Sequence, residues 1–187
     1  MMKVFKFGGA SVKDSAGVKN IIKVLNTVGF ENTLVVVSAM GKSTNTLEKI
    51  IEQYFNDRTK TPKGLLELKV FHLKIIEDLF KENRVEVCSE VNELFEELYA
   101  FIRLNTSADY SYVYDQVVSF GELLSTTIIH HYFVYKGINS SWLDARNCIK
   151  TDDYYRAANL DWDATLLNVK KQVGNTYLVV TQGFIGS

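Results

Sequence analysis

The amino-acid sequence predicts an α/β protein built around an open, mostly parallel sheet. Residues 33–37 (TLVVV) and 177–181 (YLVVT) form continuous apolar runs, a pattern typical of strands buried on both faces of a parallel sheet. Strand and helix patterns alternate over the first 55 residues, as in sheets with right-handed crossover connections. Loops rich in Gly, Ser and Thr follow three of the predicted strands, at residues 8–12, 38–44 and 182–186.

The first four elements follow from local patterns. Residues 4–7 alternate in side-chain character and stop at a Gly-Gly pair, which predicts a strand that enters a glycine turn. Asp14 or Ser15 can cap the helix that follows, because a side-chain oxygen there accepts a hydrogen bond from a free amide. After the strand at residues 33–37, Thr44 opens a second amphipathic helix.

The middle of the chain has the apolar spacing of helices. Residues 56–110 carry two such patterns, one starting at Pro62 and one at Ser89, and they predict a helical insertion or lid. A third long helix begins near Tyr112 and ends at Gly137, a residue type common just after helix ends. The pattern of the remaining residues predicts a strand at residues 140–143, a helix starting at Asp161 and a final strand at residues 177–181.

The composition excludes several classes of protein. The chain has 187 residues, with 21 basic and 22 acidic side chains, so it lacks the positive charge of a typical nucleic-acid-binding protein. No apolar stretch approaches the roughly 18 residues of a membrane helix, and the N-terminus has no signal-peptide pattern. Cys88 and Cys148 form no metal-binding motif. These features predict a cytoplasmic protein with reduced cysteines, no metal site, and neither nucleic acid nor membrane as a partner.

The three loops are the candidate site, because ligands of open α/β sheets bind at the carboxyl ends of the strands. Glycine-rich loops present unhindered backbone N–H groups that can cradle phosphate oxygens. Lys6 lies just before Gly8 and Gly9 and can place a positive charge at the same phosphate. The spacing matches neither the P-loop nor the GxGxxG pattern, so a plain strand-to-helix turn stays an alternative for both glycines. Ser38 and Thr44 can likewise be helix caps.

Glu122 and the three histidines need a separate interpretation. Glu122 is surrounded by apolar residues in the third long helix, so it either faces solvent or is placed to meet a cationic ligand. His72, His130 and His131 have no ligand-like spacing with nearby carboxylates, and we interpret them as surface or hydrogen-bonded histidines. No Ser-His-Asp or Cys-His arrangement can be assigned.

Five ordered blocks of the sequence resemble the aspartate kinase family. They are KFGGASV, VVSAM followed by Thr44-Asn45, SFGELLS, LDAR followed by Thr151-Asp152, and QGFIG, at residues 6–12, 36–40, 119–125, 143–146 and 182–186. Together these blocks span most of the chain outside residues 56–110. One departure is Ala10, where the family usually has Thr.

The resemblance implies the amino-acid-kinase fold, a three-layer α/β/α sandwich around a mostly parallel sheet, here incomplete. It also implies an enzyme that uses ATP and Mg²⁺ to convert L-aspartate to 4-phospho-L-aspartate. That reaction is the first step towards lysine, threonine and methionine. We expect a homo-oligomer, because an unpaired sheet edge and apolar surface favour self-association.

The resemblance further implies which residues bind the phosphoryl group. Lys6 would be the catalytic residue, because its charge would neutralise the phosphoryl group as it is transferred. Gly8 and Gly9 would bring backbone N–H groups against the phosphate oxygens, with the hydroxyl of Ser11 beside them.

A second set of residues is implied at the amino-acid substrate. Thr44, with Ser38 nearby, would donate hydrogen bonds to the substrate carboxylate. Glu122 would pair with the α-ammonium group, which explains an acidic residue on an apolar helix. Backbone around Phe184 would close over the substrate.

The chain ends at Ser187, before the segment in which the family carries a further Arg and Asp. We therefore expect residues 1–187 to be the N-terminal, amino-acid-binding portion of the catalytic domain, inactive alone. The nucleotide-binding half and the regulatory ACT domains would lie outside it. Two alternatives are a non-catalytic module that binds an amino acid or dimerises, and a kinase for another amino acid such as glutamate.

Overall fold

A parallel sheet of four strands lies at the centre of the protein. The computed structural model describes residues 2–173 and 177–187, and in them the strands are Lys3–Phe7 (β1), Thr33–Val37 (β2), Ser141–Leu143 (β3) and Leu178–Gln182 (β4). Their order across the sheet is β1-β2-β4-β3, and every neighbouring pair is parallel. The loops that follow β1, β2 and β4 therefore meet at one edge of the sheet, as the sequence predicts.

Six α-helices accompany the sheet in the described part of the chain. They are Ser15–Val28 (α1), Ser43–Asn56 (α2), Thr61–Leu79 (α3), Val85–Leu104 (α4), Tyr110–Tyr135 (α5) and Trp162–Val173 (α6). Two short 3₁₀ helices, Arg58–Lys60 and Ala145–Asn147, connect them to their neighbours. The α/β architecture predicted from the sequence is confirmed.

Most element boundaries agree with the sequence prediction. Asp14 is the N-cap of α1, and its side chain accepts a hydrogen bond of 2.8 Å from the amide of Gly17. Helix α4 begins at Val85, four residues before the predicted start at Ser89. Its first turn already carries the buried Val87, while Val85 is exposed and Glu86 suits the positive end of the helix dipole.

The main hydrophobic core lies on one face of the sheet. Val35 and Val37 of β2 and Leu178 and Val180 of β4 belong to one buried cluster with side chains from α1 to α5. Burial of these apolar side chains removes them from water and is the main stabilising term of the fold. Helices α3 and α4 are part of this cluster; their role as an insertion or lid stays a prediction.

The opposite face of β2 is only half-buried. Leu34 and Val36 line a cavity of about 1110 Å³, together with Val169 and Val173 of α6. The apolar run of β2 predicts burial on both faces, and this prediction is wrong for the face of Leu34, because a cavity rather than a helix lies against it. All five residues of β4 are buried, as predicted.

Helix α5 is buried almost all round its middle. Residues 121–129 are all buried, and the helix contacts α2 and α4 as well as β2, β3 and β4. A helix that is apolar on every side is typical of this central position. It places several polar side chains inside the protein, and they form the site described below. No described helix is long and apolar enough to cross a membrane.

Candidate active site

The loops after β1, β2 and β4 are joined by backbone hydrogen bonds. Ser38 N–H donates to the carbonyl of Phe7 at 3.1 Å, and Gly183 N–H donates to the carbonyl of Val37 at 3.0 Å. The amide of Gly41 also donates to the carbonyl of Gly9 at 3.3 Å. The three sequence blocks that these loops carry therefore meet at one place.

The Gly-Gly turn after β1 approaches the next loop too closely for a side chain at its second residue. A Cβ atom at Gly9 would lie 2.9 Å from the carbonyl oxygen of Ala39, whereas a Cβ at Gly8 would meet no atom within 4 Å. Ser11 N–H donates to the carbonyl of Gly8 at 2.8 Å, but the amides of Gly8, Gly9 and Ala10 donate to no described residue. Free amides in open space can receive an anion.

Lys6 is the nearest cation on the same strand. It is the fourth residue of β1, two positions before Gly8, and its side chain is exposed. An exposed ammonium group two residues before free amide groups can reach the same phosphate without any rearrangement of the core. The geometry is thus compatible with the predicted roles of Lys6, Gly8, Gly9 and Ser11, which stay predictions.

Helix α5 contacts the β2–α2 loop through three residues, Gly121, Glu122 and Ser125. A Cβ at Gly121 would lie 2.8 Å from the Cβ of Ala39, so only glycine allows this approach. Oε1 of Glu122 accepts a hydrogen bond of 3.1 Å from the amide of Ala39. The hydroxyl of Ser125 donates to the carbonyl of Ser38 at 2.9 Å. The alternative that Glu122 faces solvent is therefore wrong.

The second carboxyl oxygen of Glu122 has no partner. Glu122 is 4% exposed, and its Oε2 makes no hydrogen bond in the described part of the protein. Burial raises the pKa of this carboxyl to about 7, although the hydrogen bond from Ala39 acts in the opposite direction. A buried carboxylate with a free oxygen is poised to take up a proton or to bind a cation.

The β2–α2 loop leads into a helix start without a side-chain cap. The N-cap of α2 is Lys42, whose side chain makes no capping bond, so neither Ser38 nor Thr44 is the cap that the sequence leaves as an alternative. Thr44 lies in the first turn of α2 and is half-buried. Free amides of this turn, with the hydroxyls of Ser38 and Thr44 nearby in sequence, suit a carboxylate.

Phe184 follows β4 in an unusual backbone conformation. Its φ is +71°, and its side chain is 74% exposed. A bulky residue in the left-handed region is strained, and such strain concentrates at functional sites. Phe184 lines the 1110 Å³ cavity, but Glu122, Lys6 and Thr44 do not. The cavity is therefore lined by the loop after β4 but by no residue of the loops after β1 and β2.

Comparison with known proteins places these features in a family. The Amino acid kinase family model matches residues 1–187, which is the whole chain. The chain belongs to the amino acid kinase family. It is 30% identical to lysine-sensitive aspartokinase 3 of Escherichia coli and 29% identical to chloroplastic aspartokinase 1 of Arabidopsis thaliana, each over 98% of this chain. These matches cover 40% and 33% of the two relatives, so the chain spans well under half their length.

Solved structures of amino acid kinases share the same fold. The whole chain superposes on the crystal structure of Escherichia coli aspartokinase III in complex with aspartate and ADP, with a TM-score of 0.87 and 28% identity. The match covers 41% of that chain. The resemblance to aspartokinases and the α/β/α fold that it implies are both confirmed.

This member of the amino acid kinase family also contains a polar network that sequence reasoning missed. Gln182 donates from Nε2 to Oγ1 of Thr126 at 2.7 Å and accepts at Oε1 from the amide of Ala145 at 2.7 Å. Trp142 donates from Nε1 to the same Thr126 hydroxyl at 3.0 Å. The signals in the sequence are that Thr126 lies one helical turn after Glu122 and that Gln182 opens the QGFIG block.

His130 and His131 lie away from the loop cluster, whereas Nε2 of His72 lies 3.5 Å from the hydroxyl of Ser43, at the end of the loop after β2. His72 is fully buried, contacts the carbonyl of Leu68 at 2.8 Å through Nδ1, and has its pKa lowered to about 4 by burial. His131 pairs with Glu90 at 3.0 Å, and His130 contacts the hydroxyl of Ser140 at 3.0 Å. The interpretation as hydrogen-bonded residues thus holds, and His72 is not at the surface. Within residues 2–173 and 177–187, no group of three or more His, Cys, Asp or Glu is arranged to hold a metal ion.

Proposed function

We propose that this chain forms the amino-acid-binding part of a kinase that transfers the γ-phosphoryl group of ATP to the side-chain carboxylate of L-aspartate. The products would be 4-phospho-L-aspartate and ADP. Aspartokinases are the relatives that match almost the whole chain, and one similar structure holds aspartate and ADP. The observation that carries the proposal is the free, buried oxygen of Glu122 beside the loop cluster.

Glu122 would bind the α-ammonium group of the substrate. Oε1 is held by the Ala39 amide, so Oε2 is the oxygen that remains for a ligand. A carboxylate in this dehydrated position gains more from a cation than an exposed one, because water screens the exposed pair. The same ammonium would also keep Glu122 ionised at neutral pH.

The carboxylates of the substrate would be held by donors of the neighbouring loops. Thr44 and Ser38 carry hydroxyl groups near the start of α2, whose first amides lack a side-chain cap. Phe184 would cover the substrate from the loop after β4, where its backbone is already held in a strained conformation. Each group would orient the reacting carboxylate rather than react with it.

Phosphoryl transfer depends mainly on positioning and on charge stabilisation. ATP supplies the phosphoryl group when it is bound. Lys6 would neutralise the negative charge that moves during transfer, and the free amides of Gly8 and Gly9 would hold phosphate oxygens, with Ser11 at the same turn. We assign no described residue to Mg²⁺, because no acidic cluster is arranged for it. A homo-oligomer and a cytoplasmic location stay predictions.

A pair of ligands tests the proposal. Succinate has the two carboxylates of L-aspartate but no ammonium group. We expect calorimetry to show that Glu122→Gln weakens L-aspartate binding at least about 30-fold, because truncating one partner of a buried charge pair typically costs about 2–5 kcal/mol. Succinate binding should not weaken. The matched control is Glu48→Gln, which changes a half-buried carboxyl that accepts from Tyr114 instead. Equal affinities of L-aspartate for Glu122→Gln and the unsubstituted chain would contradict the proposal.

A further inference from the structure

We propose that Thr126 and Gln182 are positioning residues of the amino-acid site, because they hold Glu122 in register with the loops after β3 and β4. The inference rests on the proposed function, in which Glu122 binds the substrate ammonium. Gln182 is the first residue of the QGFIG block, but the resemblance assigns no role to either side chain. The two lie 56 positions apart in sequence and meet only through the packing of α5 on the sheet.

A continuous chain of hydrogen bonds runs from the loop after β3 to the backbone of Glu122. The amide of Ala145 donates to Oε1 of Gln182, and Nε2 of Gln182 donates to Oγ1 of Thr126. The Thr126 hydroxyl in turn donates to the carbonyl oxygen of Glu122 at 2.9 Å. Each link orients the next, and hydrogen bonds in such chains strengthen one another.

The Thr126 hydroxyl is the central group of this chain of hydrogen bonds, and all of its donor and acceptor positions are occupied. A hydroxyl has one proton to donate and two lone pairs to accept. Its proton points to the carbonyl oxygens of the preceding turn, that of Glu122 at 2.9 Å and that of Leu123 at 3.2 Å. Its lone pairs accept from Gln182 and from Nε1 of Trp142. Thr126 is fully buried and Gln182 is 4% exposed, so water cannot replace a lost partner without opening the core.

This chain of hydrogen bonds connects the helices and strands that carry the candidate site. Gln182 is the last residue of β4, and the loop bearing Phe184 follows directly. On the other side of the same turn of α5, Glu122 and Ser125 bind the β2–α2 loop through Ala39 and Ser38. Residues 121–126 are thereby held between two loops, and releasing one side would change where the free oxygen of Glu122 lies.

The helix offers a matched control at the next residue. Thr127 is also buried, but its hydroxyl makes no hydrogen bond to a described residue. The two changes Thr126→Val and Thr127→Val each replace a hydroxyl by a methyl group of similar size. A general effect of apolar substitution in α5 would appear in both variants, whereas loss of the hydrogen-bond chain would appear in Thr126→Val alone.

The test compares these variants by calorimetry with L-aspartate and with succinate. We expect Thr126→Val to weaken L-aspartate binding at least about tenfold and succinate binding much less, because the Glu122 position affects only the ammonium group. Thr126→Ser should restore binding to within about twofold, and Thr127→Val should bind as the unsubstituted chain does. Gln182→Met should resemble Thr126→Val, and the double variant should be no worse than either single one. Similar L-aspartate affinities for Thr126→Val and Thr127→Val would overturn the proposal.

A second measurement needs no ligand and separates this inference from the proposed function. The pKa of Glu122 can be followed by ¹³C NMR of its carboxyl group in the free chain. We expect Thr126→Val to move this pKa by at least about half a unit, whereas Thr127→Val leaves it in place. An unmoved pKa in Thr126→Val would overturn the positioning role. Absence of L-aspartate binding by the unsubstituted chain, with the pKa still sensitive to Thr126, would refute the proposed function alone.

Discussion

The amide of Ala39 donates a hydrogen bond of 3.1 Å to Oε1 of Glu122, across 83 positions of sequence. This bond joins the loop after β2 to the middle of α5, and it leaves the other carboxyl oxygen without a partner among the described residues. One oxygen is therefore fixed by the fold and the other is free for a ligand. Burying this carboxyl is unfavourable unless its free oxygen is protonated or pairs with a cation.

The first prediction concerns the pH dependence of stability at Glu122. Its pKa is raised from 4.5 to about 7 in the folded protein, so the folded state binds a proton that the unfolded state has lost. Stability therefore falls as the pH rises through this window. Replacement by Gln removes this effect. Between pH 4.5 and 7.5, the free energy of unfolding of the unsubstituted chain should therefore fall by about 3 kcal/mol relative to that of Glu122→Gln.

Urea unfolding followed by circular dichroism at several pH values measures this difference. Glu48→Gln is the control for the loss of one negative charge, because the carboxyl of Glu48 is half-buried and accepts from Tyr114 rather than from the loop after β2. Parallel stability curves for Glu122→Gln and the unsubstituted chain would show that the carboxyl has an ordinary pKa in the folded protein.

The second prediction concerns His72, where the sign is opposite. Burial lowers the pKa of His72 from 6.5 to about 4, so its stabilising contribution is present above pH 6.5 and is lost as the pH falls towards 4. His72→Leu should abolish this loss, which amounts to about 3 kcal/mol. Since Glu122 and His72 act in opposite directions between pH 4.5 and 6.5, the unsubstituted chain should show a flatter curve than either variant. A steep acid loss retained in His72→Leu would refute the assignment.

A third prediction uses the two adjacent glycines as a matched pair. In Gly9→Ala the new methyl group would meet the backbone oxygen of Ala39 at 2.9 Å, and backbone cannot move aside as a side chain does. The loops after β1 and β2 must then separate, at a cost of about 1–3 kcal/mol. Gly8→Ala meets open space and should change stability by no more than about 0.5 kcal/mol. The midpoints of thermal unfolding of the two variants measure this difference. Equal midpoints would mean that the loops after β1 and β2 are not in close contact at Gly9.

The fourth prediction concerns the charge of Lys6. Lys6→Met keeps the length of the side chain but removes the ammonium group, and a charge-assisted contact to phosphate is worth about 1.5–3 kcal/mol. We expect binding of inorganic tripolyphosphate, which carries the phosphates of ATP without the nucleoside, to weaken at least about tenfold. Lys23→Met serves as the control, because Lys23 is an exposed lysine of α1 outside the loop cluster. Similar affinities for the two variants would remove Lys6 from the phosphate site.

Most helices and strands of the fold can be predicted from the sequence, because helix capping and apolar spacing depend on residues close together in the chain. Asp14 caps α1 as its residue type predicts, and the apolar runs of β2 and β4 form neighbouring parallel strands. Burial of the second face of β2 is not local, since it depends on what packs there, and the structure shows a cavity beside Leu34.

The sequence predicts residues of the candidate site only within the blocks that resemble the family. The spacing around Glu122 leaves solvent exposure and burial both open, because α5 is apolar on every side and no face can be assigned from its pattern. The hydrogen bonds of Thr126 to Gln182 and Trp142 depend on tertiary packing alone. Neither residue type nor spacing contains that information.

The most direct test of the central claim is the pKa of Glu122 measured by ¹³C NMR with and without saturating L-aspartate. Without ligand we expect the pKa of about 7 that burial produces. With L-aspartate it should fall by at least about one unit, because a nearby ammonium group favours the carboxylate, and succinate should cause no such fall. If L-aspartate binds and the pKa of Glu122 stays where it was, then Glu122 is not the partner of the substrate ammonium, and the account of the site is wrong.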